Sequence, residues 1–312
     1  MLKQNITTTT AFAPATSANL GVGFDIMGLA LDAVGDKVTL TKRNDGQIVI
    51  EKINSTTGLP LEPNKNTASY AITKMCEDLQ ITCGFSMQID KGIAMGSGMG
   101  GSAASAVAAV VALNGFLEKP VTREKLVEYA LYGEEIASGG KHADNVAPSI
   151  FGGVTLIRET NPMEVINLPY PKDLICVIIH PHLQVETKSA RGILSPTVKM
   201  HDFVHQSANL AATICALYTN DLALLKRSMQ DLIIEPQRAG LVTGYFDVKA
   251  SALENGAIAA TLSGSGPSII AFAENKNSAE KVKNAMIKAF ASHNIEADSW
   301  VSPINPNGAY II

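Results

Sequence analysis

Apolar and polar residues alternate along several short segments in the first third of the chain, and β-branched residues cluster within them. This pattern predicts strands at residues 7–13, 38–41, 48–52 and 85–89. Between them the period changes, because Tyr70, Ala71, Met75 and Leu79 recur at the spacing of one helical face. We therefore expect a helix at residues 66–79.

Two helices should follow in the middle of the chain. Residues 102–117 are mostly small and apolar, which predicts a buried helix ending at Asn114-Gly115 or just beyond. Residues 123–138 have Thr122 as an N-cap and stop at Gly139-Gly140.

The second half should begin with a proline-containing connection at residues 161–171. Strands and helices do not alternate one for one, so an α+β fold in two lobes is favoured over a doubly wound sheet. The pattern predicts strands at 173–180, 257–262 and 268–273, helices at 202–218, 247–255 and 278–291, and short strands near Ile295 and Tyr310.

Composition narrows the possible partners. The 312 residues are 46% hydrophobic and 17% charged, with 29 acidic and 25 basic side chains, which is ample for a core. Without a Lys/Arg block, we expect no nucleic-acid partner. The spacing of the four cysteines does not suit a metal site. Residues 1–10 lack the apolar core of a signal peptide, and the run of small apolar residues near 103–113 is too short to span a bilayer. We expect a cytoplasmic protein with no membrane partner.

A glycine-rich loop is the strongest local motif. Gly96, Ser97, Gly98, Met99, Gly100 and Gly101 follow a predicted strand and open a predicted helix, with Ser102 in its first turn. Glycines let the backbone approach a phosphate, and a helix N-terminus favours an anion. Ser102 can offer its hydroxyl to Mg²⁺ or to a phosphate oxygen. A flexible connection is the simpler alternative.

The same loop matches a dinucleotide-binding fingerprint through Gly96, Gly98 and Gly101, which suggests an NAD-dependent oxidoreductase as a rival. This match is weak, because the preceding strand does not begin an alternating βαβ series. The acidic residue expected after a second strand has no good candidate, because Glu118 falls in a turn between helices. No Gly-Lys-Ser/Thr follows, so the loop is not a Walker motif.

Three separated segments carry a family resemblance: APATSANLGVGFD at residues 13–25, GSGMGGSAA at 96–104 and LSGSGPS at 262–268. In this order the chain resembles the galactokinase, homoserine kinase, mevalonate kinase and phosphomevalonate kinase (GHMP) family. The loop departs from the family pattern at Ala94, Met99 and Gly101, where the family usually has Pro, Leu and Ser.

The resemblance implies a two-lobed GHMP-kinase fold of α+β class. Its N-terminal, ribosomal-protein-S5-like α/β domain would span residues 1–160 and bind ATP, and its C-terminal, ferredoxin-like α+β domain would span 161–312. Segments NLGVGFD at 19–25 and HADNVAPS at 142–149 look like the branch that phosphorylates L-homoserine with ATP and Mg²⁺ in threonine biosynthesis. A mevalonate or sugar kinase of the same family, or a non-catalytic relative, remains an alternative. We also expect a homodimer, which no sequence motif specifies.

The periodicity of the predicted helix at residues 123–138 makes Glu134 the candidate metal ligand. It lies four residues after Ala130, on the apolar face that Leu126, Val127 and Ala137 help to define, whereas Glu135 points about 100° away. An inward-facing acid is costly unless it is paired or bound to a metal. The alternative is a glutamate at the rim in a salt bridge.

The substrate is expected to be a small zwitterion, so the site needs both charge signs. An arginine fork suits its carboxylate, and an acid or amide suits its ammonium. His142 should lie in a loop with Asp144 and Asn145, and whether Asp144 acts as a base is left open. The resemblance implies that the nucleotide is bound by Gly96, Ser97, Gly98, Met99, Gly100, Gly101 and Ser102. It implies that Ser102 and Glu134 bind the metal, and that Glu134, Ser102, Asp144 and Asn145 are catalytic. The substrate would be bound by Asn19, Asp25, His142, Thr187, Arg191, Arg238 and Gly264.

Overall fold

Two β-sheets organise the chain, each with helices packed against it. The computed structural model describes residues 1–55 and 58–312. The elements that build the first lobe are β1 (Thr8–Ala18), β2 (Met27–Arg43), β3 (Ile48–Asn54), α1 (Thr67–Asp78), β4 (Gly84–Asp90), α2 (Gly101–Gly115), α3 (Arg123–Ser138), α4 (Ala143–Phe151), β5 (Val154–Thr160) and β6 (Met163–Leu168).

The second lobe holds most of the remaining elements. They are β7 (Ile175–Pro181), α5 (Thr187–Gly192), α6 (Met200–Thr219), α7 (Leu222–Ser228), α8 (Glu235–Arg238), a 3₁₀ turn (Ala239–Leu241), α9 (Tyr245–Glu254), β8 (Ala259–Leu262), β9 (Ile269–Ala273), α10 (Lys276–Ser292), β10 (Ala297–Pro303) and β11 (Tyr310–Ile311).

The first sheet has the strand order β11-β1-β2-β4-β3, with β5 added to β2 and β6 added to β5. Strand β2 is central because it pairs antiparallel with β1, β4 and β5, and only the β3–β4 pairing is parallel. The second sheet is antiparallel, in the order β10-β7-β9-β8. The chain end returns to the first sheet, since β11 pairs with β1.

Local capping explains where several predicted helices begin and end. The Asn66 side chain accepts a hydrogen bond from Ala68 N, and Thr122 accepts one from Lys125 N, so both act as N-caps. Helix α3 ends at Gly139, whose φ of 74° is in the left-handed region. Helix α2 is buried on nearly all sides between α1, α3, β1 and β2, as its small apolar sequence predicts.

Two predictions of local structure were wrong. Residues 161–171 are not merely a connection, because they contain β6; the prolines on either side of this edge strand and the polar residues within it obscure it in the sequence. Residues 142–149 are not a loop: His142 is the N-cap residue of α4, and Asp144 and Asn145 lie inside that helix. Pro148 also lies inside this helix, and because proline is unfavourable in a helix interior, the sequence does not indicate a helix here.

Helix α4 lies unusually close to β2. A Cβ added at Gly28 would stand 1.9 Å from the Asp144 carbonyl oxygen and 2.9 Å from Pro148 Cγ. Glycine at this strand position therefore permits the approach that brings Asp144 toward the centre of the molecule. The pairing of β6 with β5 also adds residues beyond 160 to the first sheet, while the division at 160/161 stays a prediction.

A buried ion pair joins β2 to the segment after β4. The Lys91 ammonium contacts the Asp36 carboxylate, and their side chains are 6% and 0% exposed. Gly92 N and Ile93 N donate to Asp36 Oδ1 at 3.0 and 3.2 Å. Lys91 Nζ also donates to the Gly101 carbonyl at 2.7 Å, in the first turn of α2. The pair thus anchors both ends of the glycine loop.

Asp36→Asn should destabilise the protein by about 3–5 kcal/mol, because the Lys91 ammonium would stay buried without its counter-charge. The measurement is the free energy of unfolding from urea titration. Asp45→Asn is the matched control, since its pair with Arg43 is largely exposed, and it should barely move the midpoint. Equal shifts for the two variants would contradict the anchoring role of Asp36.

Candidate active site

A cavity of about 550 Å³ is lined by residues of both lobes. Of the predicted site residues, all but Met99 line it: Asn19, Asp25, Gly96, Ser97, Gly98, Gly100, Gly101, Ser102, Glu134, His142, Asp144, Asn145, Thr187, Arg191, Arg238 and Gly264. The Met99 side chain is instead buried in the core of the first lobe. Residues that are distant in sequence are thus brought to one place.

The glycine loop needs its glycines for backbone geometry. Gly96, Gly98 and Gly100 have φ values of 64°, 77° and 66°, which disfavour side chains. A Cβ on Gly98 would stand 2.5 Å from the Ser263 carbonyl oxygen and 2.6 Å from that of Gly266. Gly98 therefore permits close packing of the glycine loop on the segment at 262–268.

The three motifs of the family resemblance contact one another around this loop. Ser263 Oγ donates to the Gly98 carbonyl at 2.7 Å and lies within hydrogen-bond distance of Ser17 Oγ, at 2.9 Å. Ser268 N donates to the Ser97 carbonyl at 3.1 Å. Because hydrogen bonds join the segments at 13–25, 96–104 and 262–268, the loop is held from both lobes.

Helix α3 places Glu134 at the cavity. Glu134 is 4% exposed, whereas Glu135 is exposed, as the helix-face argument predicted. Ala137, assigned to the same apolar face, is instead exposed at the cavity wall. Burial raises the pKa of the Glu134 carboxyl to about 7, although a hydrogen bond from Ser102 and the charge of Lys91 oppose this shift.

Helix α4 supplies a second buried carboxyl. Asp144 is 3% exposed, and burial, with the nearby Asp25 and Glu134, raises its pKa to about 7. Within the described part of the chain, Asp144 Oδ1 has no hydrogen-bond partner. Asn145, the next residue, accepts a hydrogen bond from Thr16 Oγ1 at 2.8 Å. An unpartnered buried carboxylate oxygen at a cavity is suited to a cationic ligand.

Asp25, His142 and Arg191 form a polar group across the cavity. Arg191 Nη2 lies 2.5 Å from Asp25 Oδ2 and 3.4 Å from His142 Nδ1. Burial and the charge of Arg191 lower the pKa of His142, which favours the neutral imidazole. Arg191 lies on α5, a short helix that sequence reasoning did not identify.

Arg238 is nearly buried, at 3% exposure. Its Nε donates to the Ala190 carbonyl at 3.1 Å and its Nη1 to the Gly264 carbonyl at 3.4 Å. The turn that leads into α8, the helix that carries Arg238, is held by Asp231, whose carboxylate accepts from the backbone N–H groups of residues 233–235 at 2.8 to 3.0 Å.

The remaining predicted substrate residues make contacts with other residues of the chain. Asn19 Nδ2 donates to the Gly264 carbonyl at 3.0 Å, and its Oδ1 accepts from Asp25 N at 3.1 Å. The hydroxyls of Thr187 and Ser265 are 3.4 Å apart. Asn19 therefore shapes the loop that presents Asp25.

Sequence reasoning missed three lysines at the cavity. Lys91, Lys65 and Lys188 line it, and Lys188 directly follows Thr187, a predicted substrate residue. Lys91 precedes the glycine loop by five residues, but nothing local in the sequence indicates its partner Asp36. Lys188 could have been noticed as a positive charge beside a predicted substrate residue.

Known proteins match the chain along its length. The family models for the N-terminal and C-terminal domains of GHMP kinases match residues 66–153 and 213–292. The homoserine kinase of Chlorobium phaeobacteroides is 40% identical, covering 98% of this chain and 99% of that protein. That of Xanthomonas campestris is also 40% identical, covering 97% and 93%. The crystal structure of homoserine kinase from Cytophaga hutchinsonii superposes with a TM-score of 0.96 at 41% identity, covering 100% of this chain and 99% of that one.

Glu134→Gln should change how the stability of the ligand-free protein depends on pH. The pKa of Glu134 is raised in the folded state, from 4.5 to about 7. Its stabilisation is therefore complete below about pH 4.5 and lost as the pH rises through about 7. Glutamine does not titrate, so the variant should gain up to about 3 kcal/mol over wild type between pH 4 and pH 8.

The measurement is urea unfolding of both proteins at several pH values. Glu135→Gln is the control, because this neighbouring side chain is exposed and its variant should follow the wild-type profile. Parallel profiles for Glu134→Gln and wild type would mean that Glu134 is not desolvated.

Proposed function

Because the chain belongs to the GHMP kinase family, we propose that it transfers the γ-phosphoryl group of ATP to the side-chain hydroxyl of L-homoserine. The products are O-phospho-L-homoserine and ADP, a step of threonine biosynthesis. Full-length identity of about 40% to homoserine kinases carries this conclusion. The resemblance based on three motifs and the expected two-lobed α+β fold are both confirmed.

The oxidoreductase interpretation of Gly96, Gly98 and Gly101 is wrong. Strand β4, which precedes the loop, pairs antiparallel with β2 and parallel with β3 in a mixed sheet. A dinucleotide fold would place this loop after the first strand of a parallel βαβ unit.

The glycine loop and the start of α2 are suited to the ATP triphosphate. Three loop glycines with positive φ expose backbone N–H groups, and the 15-residue helix adds a positive dipole end. Lys65 and Lys188 add positive charge at the cavity wall. Phosphoryl transfer depends mainly on such positioning and charge neutralisation.

Mg²⁺ fits the residues at this end of the cavity. Ser102 and Glu134 are the side chains that would hold it, and the buried Glu134 carboxylate with its raised pKa would gain from a nearby cation. Mg²⁺ usually takes one or two carboxylates together with phosphate oxygens and waters. When bound, it would neutralise charge that develops on the phosphate oxygens.

The charges beside the glycine loop match a zwitterion. Arg191 and Arg238 would bind the carboxylate of homoserine, and Asp25 would exchange its contact with Arg191 for the substrate ammonium. Asp144, whose pKa is raised partly by Asp25, would also be stabilised by that ammonium. His142, Asn19, Thr187 and Gly264 would complete the substrate wall.

The hydroxyl proton needs no dedicated base in this scheme. In a loose phosphoryl-transfer transition state the nucleophile loses its proton late. We propose Asp144 and Asn145 as catalytic residues: the Asp144 carboxyl, whose pKa is raised to about 7, would take up the proton when the nucleophile releases it late, and Asn145 is joined to the first motif through Thr16.

We also propose a cytoplasmic homodimer. No helix in the described part of the chain has the length and apolar character needed to cross a bilayer. Helix α6 exposes Met200, Phe203 and Val204, at 74%, 56% and 55%, and such a patch favours pairing of two copies. Light scattering should give twice the 32.9 kDa of one chain; a single-chain mass would refute the dimer.

A coupled ADP-release assay tests the reaction. With ATP and Mg²⁺, L-homoserine should accelerate ADP release far above the rate without acceptor, and mevalonate and galactose should not. Removing Mg²⁺ with a chelator should abolish the acceleration. Preferred turnover of mevalonate or a sugar would assign the chain to another activity of the family.

Arg191→Lys should raise the KM for homoserine about ten- to a hundredfold, because lysine keeps the charge but loses the planar two-point grip. The KM for ATP should stay nearly unchanged. Steady-state kinetics with each substrate varied in turn measures both constants.

Arg158→Lys is the matched control, since Arg158 pairs with Glu164 on an exposed hairpin, and it should alter neither constant. If Arg191→Lys weakened ATP binding and spared homoserine, the arginine would belong to the nucleotide site.

A further inference from the structure

One aromatic ring lies against both arginines of the substrate wall. The guanidinium carbons of Arg191 and Arg238 are 5.2 and 5.1 Å from the centroid of the Phe24 ring. Both distances are within the range of a cation–π contact. Phe24 is half-buried and is not among the described residues that line the cavity. It therefore contacts the arginines and not the space that a substrate would occupy.

The loop that carries Phe24 is held in one conformation. Asn19 and Asp25 have φ values of 71° and 63°, which non-glycine residues seldom adopt. Backbone hydrogen bonds from Gly23 N to the Asn19 carbonyl, at 2.8 Å, and from Ile26 N to the Gly23 carbonyl, at 3.0 Å, close the turn. Such strain persists only where surrounding contacts require it, and it concentrates at functional sites.

Two arginines at one carboxylate site present an electrostatic problem before substrate binds. Burial lowers the pKa of the Arg238 guanidinium, and the nearby positive charge of Arg191 lowers it further, as expected for two cations held close together. Arg191 is held by Asp25 and Arg238 by two backbone carbonyls, but these partners lie on different segments. The Phe24 ring is a contact that the two arginines share.

We propose that Phe24 is a positioning residue, whose ring holds the guanidinium groups of Arg191 and Arg238 side by side at the spacing of one carboxylate. This inference rests on the proposed function. The π face attracts both cations and reduces the freedom of two long side chains, so less ordering remains to be done when the substrate binds. Phe24 thereby contributes to selectivity for acceptors that carry a carboxylate.

Phe24→Leu and Phe24→Tyr test the role of the ring. Leucine keeps an apolar side chain without a π face, so the KM for L-homoserine should rise about five- to thirtyfold while the KM for ATP is unchanged. Tyrosine keeps the ring and should restore a near wild-type KM. Phe12→Leu, a matched change at a ring that packs on Tyr310 outside the cavity, should have no effect.

A second acceptor separates positioning from a general structural effect. The carboxylate-free analogue of homoserine, a propanol with a terminal amine, cannot use the arginine pair. Phe24→Leu should therefore lower kcat/KM for homoserine much more than for this analogue. If the leucine variant does not fold, Phe24→Met is used, because methionine fills a similar volume without a ring.

An unchanged ratio of the two kcat/KM values, or failure of tyrosine to rescue, would overturn the role of Phe24. Wild-type turnover of L-homoserine, measured first, tests the proposed function separately. Absence of that turnover overturns both proposals, whereas turnover with an unchanged ratio overturns only the inference about Phe24.

Discussion

The buried ion pair between Asp36 and Lys91 is the constraint on which the cavity depends. Removing two opposite charges from water is costly, and the cost is offset here by hydrogen bonds from Gly92 N, Ile93 N and Ser105 Oγ to the same carboxylate. Because Lys91 also binds the Gly101 carbonyl, the loop between them starts and ends at fixed points. Its backbone N–H groups are thus oriented before any ligand arrives.

The loop also joins the two lobes. Gly98 packs directly on the backbone of Ser263 and Gly266, so the glycine loop is in contact with the segment at 262–268. Around it the site balances buried charge of both signs: Glu134 and Asp144 have carboxyl pKa values raised to about 7, and Arg238 is nearly inaccessible to water. Such groups are unfavourable in a ligand-free cavity, and a cation and a zwitterion would each relieve part of that cost.

Local signals explain why some elements were predictable and others were not. Helices α1 and α3 have side-chain caps and clear periodicity, so their bounds were predicted within two residues. Helix α4 was taken for a loop because Asp144, Asn145 and Pro148 disfavour a helix locally; packing against Gly28 of β2 outweighs that preference. Strand β6 was missed because pairing with β5, not its own sequence, makes it a strand.

The sequence by itself determined which residues are candidates for the chemistry: the glycine loop follows from its motif, the inward-facing Glu134 from the helical period, and the two arginines from the family resemblance. Only the tertiary structure decided how they are supported. The partners Asp36 and Lys91, the contact between Gly98 and the loop at 263–266, and the Phe24 ring beside both arginines join residues far apart in the chain. Such contacts arise from packing of the whole fold, and no periodicity or short motif encodes them.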